Sequence, residues 1–230
     1  MSPSGLPFSS AVVTYPPNPN CKLAFRVIDQ VHGIPNKSLP LEIEESVEIK
    51  DQYGKEAEGI CQYIEERHIV NIKVNPRFKL YVLLLCHEIG HFIDGAYFGS
   101  TNRESRDDFE EWRLAVTKSH YYQRLCCVKA NHFYYKFDIN RGETVYGEEN
   151  KVEADDELMR MVDYWMRIPE MFARSYTQWI NTKTSVTPFK QAFSMDYRAG
   201  RGFKQWTDTD FIPIGNALTK LFERKGMIKP

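Results

Sequence analysis

Residues 80–94 read LYVLLLCHEIGHFID, from Leu80 to Asp94. An apolar run leads into a histidine, a glutamate and, four positions after the first, a second histidine. On a helix, side chains at i and i+4 share one face a turn apart, so His87 and His91 can both reach a single divalent ion. Glu88 lies about 100° further round, where it can face a water at that ion without being a ligand. Phe92 and Ile93 continue the apolar character, so the helix is expected to be largely buried. Buried imidazoles and carboxylates need partners, and a metal supplies them. The apolar stretch Leu80 to Cys86 is far shorter than the about 20 residues that cross a bilayer, so it reads as a buried helix segment, with Cys86 in the core and off the ligand face.

His-Glu-Ile-Gly-His fits the HExxH pattern of hydrolytic zinc sites, in which Glu88 is the general base. Such a site needs a third protein ligand and an open position. A metzincin would carry Gly at 94 and His at 97, but this chain has Asp94 and Tyr97. His32, His68, His120 and His132 stand alone and read as surface or core imidazoles. A carboxylate from another helix is the better candidate. Glu170 follows Pro169 at a helix start, next to free backbone N–H groups that favour an anion. Ala173, one turn on, allows close approach to the small Gly90. Spacing leaves Glu110, Glu111, Glu153 and Glu157 open as alternatives. Asp94, one turn beyond His91, is placed to accept that histidine's second N–H, as outer carboxylates do around metal ligands.

Outward from this helix, the chain reads as an α+β protein. Residues 1–20, with five prolines and four serines, read as a flexible extended tail, with order starting near Cys21. LEIEESVEI, GICQYI and HIVNIKV, between Leu41 and Val74, predict a small antiparallel sheet. Asn75 and Pro76 predict the start of the HExxH helix. A second helix is expected from about Ser105, where SRDD forms a capping box, past Trp112, Val116 and Leu125. Residues 139–151 read as a loop. Pro169 forbids an unbroken helix from Ala154, so one is expected to about Arg167 and another from Pro169 through Ile180. Pro213 predicts the start of a last helix that ends at Gly226, and Arg198 to Lys204 read as a loop. A single domain over 21–230 is expected, with a sheet-containing lobe over about 21–98 and a mainly helical lobe over about 99–230.

With 30 basic against 31 acidic side chains, the net charge of −1 supplies no general field for nucleic acid or an anionic membrane. Five cysteines without a CxxC pair read as reduced thiols. The N-terminus lacks a basic leader region, so a cytoplasmic location is expected.

Two blocks carry a resemblance. One is His-Glu-Ile-Gly-His with Asp94. The other is Tyr164 and Trp165, then four residues, then Glu170-Met-Phe-Ala-Arg174. Together they resemble the gluzincins, zinc peptidases with two HExxH histidines and a downstream glutamate, and more narrowly the zincin domains of phages and mobile elements. They are also similar to the catalytic domain of anthrax lethal factor. The likeness covers about residues 80–98 and 163–181, and WTDTDFIPIGNALTKLF more loosely. Tyr176 departs from it, standing where phenylalanine is usual, and about 80 residues separate the blocks.

The resemblance implies a zincin-like fold, one Zn²⁺ per chain held by His87, His91 and Glu170, and hydrolysis of a protein or peptide substrate with Glu88 as base. It also implies a tyrosine shortly before the third ligand as donor to the developing oxyanion, which is Tyr164, or Tyr146 behind it. Delivery with a phage or mobile element goes with that reading. The rival expectation is a zinc-binding structural or interaction module without turnover.

Overall fold

The computed structural model describes residues 6–35, 39–51, 54–98, 107–138, 140–199 and 204–228. The chain runs β1 (Leu6–Pro7), a 3-10 turn (Phe8–Ala11), β2 (Val12–Thr14), α1 (Pro19–Val31), β3 (Gly33–Ile34), β4 (Leu41–Glu45), β5 (Gly59–Ile64), β6 (Ile69–Val74) and α2 (Tyr81–Ile93). It continues through α3 (Asp107–Lys118), α4 (His120–Asn131), β7 (Phe133–Tyr135), β8 (Phe137–Asp138), β9 (Glu143–Thr144) and β10 (Lys151–Glu153). Four helices close it: α5 (Asp156–Trp165), α6 (Ile168–Lys183), α7 (Thr187–Ala199) and α8 (Asp208–Arg224). This is an α+β fold with its sheet before α2 and helices predominating after it.

The main sheet has the order β2-β4-β6-β5. It is mixed, which corrects the antiparallel expectation: β2 with β4 and β4 with β6 are parallel, and only β5 with β6 is antiparallel. Burial gives the reason. In β6, Ile69, Val70, Asn71, Ile72 and Val74 are all buried, so both faces are covered. A strand of that kind belongs in the centre. It inserts between β4 and β5, which leaves β4 parallel to it and the less buried β5 at the edge.

Residues 6–20 are part of the fold, which corrects the reading of a tail. Phe8 is fully buried, edge-on to Phe92 with ring centres 6.0 Å apart. β2 completes the sheet beside β4, and Asn18 caps α1 by accepting the N–H of Asn20 at 2.9 Å. Prolines remove backbone donors but do not keep neighbouring apolar side chains out of a core. Residues 1–5 lie outside the described residues.

Other boundaries also shift. Asn75 and Pro76 open turns rather than a helix: Asn75 Oδ1 accepts the N–H of Arg77, and the helix begins at Tyr81. The expected start at Ser105 lies outside the described residues. The helix expected to run on to Leu125 breaks at Ser119, whose hydroxyl caps α4 by accepting the N–H of Tyr122. The expected loop over 139–151 contains β9 of the β8–β9 hairpin and the start of β10, which pairs with β7; residue 139 is outside the described residues. α5 and α6 do break before Pro169. Pro213 sits inside α8, which starts at Asp208 under a Thr207 cap. α7 has no counterpart in the sequence reading, and of the loop at Arg198 to Lys204, residues 200–203 are outside the described residues.

α2 is apolar on most of its circumference, burying among others Leu85, Cys86, Ile89, Phe92 and Ile93. It packs against the sheet and against α1 and α6, which cover its apolar faces and leave the histidine face towards a cleft. Among the described residues no helix is long and apolar enough to cross a membrane.

Candidate metal centre

α2 and α6 approach closely where Gly90 meets Ala173. A Cβ on Gly90 would stand 2.9 Å from Ala173 Cα and 3.2 Å from its carbonyl oxygen, so only glycine fits against that backbone. The contact brings the histidine face of α2 onto the first turn of α6. Glu170 Oε2 lies 3.4 Å from His87 Nε2 and 3.7 Å from His91 Nε2, and one donor atom from each of the three residues lies within 4.8 Å of the others. Donors about 2.0–2.2 Å from a tetrahedral ion are about 3.3–3.6 Å apart. The group could hold a metal ion, and it is the one such His/Cys/Asp/Glu group among the described residues. Burial by itself pushes the Glu170 carboxyl up, but the two histidines outweigh it and hold the group well below the usual carboxylate range. Gly90→Ala is expected to force α2 and α6 apart, at a cost of about 1–3 kcal/mol. A lowered melting temperature together with weaker zinc binding in a chelator competition checks this.

Glu88 is buried beside these donors. A Cβ on Gly59 would lie 2.8 Å from Glu88 Oε1, so the carboxylate packs on the bare backbone of edge strand β5. Burial above all, reinforced by the charge of Glu170 and opposed by His91, pushes its pKa up to about 7. A base with that value takes and returns a proton near neutrality. Asp94 is buried where α2 passes into a π-helical turn, Asp94–Phe98, and it lines the same cleft. Cys61 of β5 faces the pair: burial first, then the charges of Glu88 and Asp94, raise its thiol well above the ordinary range.

Tyr164 projects from the end of α5 into the cleft and is half-exposed. Burial of its hydroxyl, then the charge of Glu170 and a hydrogen bond with it, raise the phenol pKa, so the hydroxyl keeps its proton and remains a donor. Tyr146 is elsewhere. It is 68% exposed, leans on Tyr135 at 5.2 Å and does not line the cleft, so the sequence's second candidate is set aside. The alternative third ligands are also apart from the histidines. Glu111 pairs with Lys220 and Arg224, Glu110 and Glu153 are exposed, and Glu157 is an exposed residue of the cleft rim. Of the solitary histidines, His32 is a core residue whose Nε2 is 2.6 Å from the Tyr176 hydroxyl, and His68 bonds Tyr63.

Cys61, His87, Glu88, His91, Asp94 and Tyr164 lie along a cleft of about 1290 Å³. β5 and the segment before it form one wall, α2 the floor, and Arg160, Met161, Tyr164 and Arg167 of the α5 side the other wall. Sequence reasoning missed Gly59 and Cys61. A glycine opening a strand is a sign of close backbone approach, and that was the available signal. Comparison of the chain with protein-family models, with curated proteins and with solved structures gives no match.

Proposed function

We propose that this chain is a zinc-dependent metalloendopeptidase of the gluzincin type on a zincin-like fold. The observation that carries the proposal is the convergence of His87, His91 and buried Glu170 within 4.8 Å of one another, with both histidines lining an open cleft and Glu88 buried beside them. A zinc ion bound there supplies Lewis acidity, lowering the pKa of a water and polarising a carbonyl. His87, His91 and Glu170 would hold it, and Asp94, buried one turn beyond His91 where α2 ends, is the carboxylate that would orient that ring. Glu88 accepts the proton of the attacking water and passes it to the departing amine nitrogen. The Tyr164 hydroxyl donates to the carbonyl oxygen as negative charge develops there.

A peptide substrate also suits the walls. Among the described residues β5 pairs only with β6, so its other edge presents backbone N–H and C=O groups that an extended peptide can match. Incubating the zinc-loaded protein with a broad peptide library is expected to give cleavage that stops on chelation and returns with zinc. In the same assay Tyr164→Phe is expected to lower kcat by about 10²-fold with little change in KM, the cost of one oxyanion donor. A loaded protein that cleaves nothing across the library favours the non-catalytic zinc module instead.

A further inference from the structure

Arg174 is the one lysine or arginine among the described residues that is buried, at 4% exposure. It lies on α6 one turn beyond Glu170. Its guanidinium carbon is 5.2, 5.6 and 5.7 Å from the ring centres of Tyr121, Trp165 and Trp206, inside the range of cation–π attraction. The Tyr121 phenol is also hydrogen-bonded with it. A buried guanidinium is costly unless its surroundings answer its charge, and here they come from three separate parts of the chain. Tyr121 is on α4, Trp165 ends α5, and Trp206 precedes α8.

The cage is itself fixed. Gln178, one turn beyond Arg174, clasps the Trp206 backbone in both directions, donating to its carbonyl at 2.9 Å and accepting its N–H at 3.1 Å. The Trp206 indole donates to Ser119 Oγ at 3.0 Å. By contrast, the joint between α5 and α6 is only Met166 and Arg167, and Arg167 has an extended backbone, φ −65° and ψ 134°. No continuous helical hydrogen-bond ladder sets the angle there. Trp165 is adjacent to Tyr164, and Arg174 shares its helix with Glu170. The grip of Arg174 on Trp165 therefore spans the joint between Tyr164 and Glu170.

We propose that Arg174 is a positioning residue, which locks the end of α5 to the start of α6 through its aromatic cage and so sets Tyr164 and Glu170 relative to the α2 histidines. This rests on the metallopeptidase reading and adds a residue to it that touches neither metal nor substrate.

The test uses the full-length chain and compares wild type, Arg174→Met and Tyr121→Phe. Zinc affinity is read by competition with a chromophoric chelator, and site geometry by the visible spectrum of the cobalt-substituted protein. Thermal unfolding reports whether each variant is folded. Arg174→Met keeps much of the side-chain volume but loses the planar cation, and zinc binding is expected to weaken by about 10–100-fold, the usual effect of disturbing residues behind metal ligands. The cobalt bands are expected to shift in position and intensity. Tyr121→Phe keeps the ring and loses only the hydroxyl, and should show the same changes at smaller size. It decides the question if Arg174→Met does not fold.

Unchanged or tighter zinc binding in a folded variant overturns the proposal, since loss of a nearby positive charge without any positioning role favours a divalent cation. If the wild type binds no zinc, the metallopeptidase reading itself has failed. If it binds zinc and the variants match it, only the role of Arg174 has.

Discussion

Exchanging Glu88 for glutamine is expected to leave zinc bound and to lower peptide turnover by about 10²–10⁴-fold, the usual contribution of a general base. Glutamine keeps the shape that packs on Gly59 of β5 but has no carboxylate to receive the proton. The metal donors, His87, His91 and Glu170, are untouched. The same exchange has a second expected effect, on the metal-free protein. Burial raises the Glu88 pKa from 4.5 to about 7, so the folded chain binds this proton more tightly than the unfolded chain. Ionising Glu88 therefore costs the fold nothing below about pH 4.5, an increasing amount as pH rises towards 7, and the full amount above it. Metal-free Glu88→Gln escapes that cost and should melt higher than metal-free wild type above pH 7, with the gap closing near pH 4. A melting series over that range, beside turnover of the zinc-loaded proteins, separates a lost base from a damaged fold. Undiminished turnover in the variant would remove Glu88 from the mechanism.

What could be read from the sequence was what depends on local spacing. The i, i+4 histidines, the apolar run before them and the break at Pro169 are short-range patterns, and the structure has α2 and α6 where these patterns put them. Gly90 and Ala173 could be marked as small residues that allow close approach, but that they meet is decided by the fold. Glu170 could be marked as a candidate but not separated from Glu157 by spacing, because the fold alone decides which carboxylate reaches the histidines. Strand order was not legible. GICQYI and HIVNIKV both look like strands, and it takes the two-sided burial of β6 to send the second to the centre and the first to the edge beside Glu88. Phe8, within a proline-rich stretch, joined the core because composition describes the backbone's hydrogen-bonding capacity and not where one aromatic ring packs. The cage around Arg174 joins residues from 121 to 206, so no window of sequence contains it.

Glu170→Ala is the other exchange with a large expected effect. It removes the single carboxylate of the donor group and leaves two imidazoles on one helix, which cannot enclose a tetrahedral ion by themselves. Disturbing residues behind metal ligands already costs roughly 10–100-fold in affinity, so loss of a ligand is expected to exceed about 100-fold. The fold should survive, because Glu170 sits in the first turn of α6, while the Gly90–Ala173 contact that holds α2 against α6 does not involve its side chain. The most direct test is zinc content by elemental mass spectrometry of purified wild type and Glu170→Ala, side by side after refilling with zinc. About one zinc per wild-type chain is expected, as a three-ligand site requires, with clear loss in the variant. A wild type that takes up no zinc, or a variant that retains it in full, would contradict such a site.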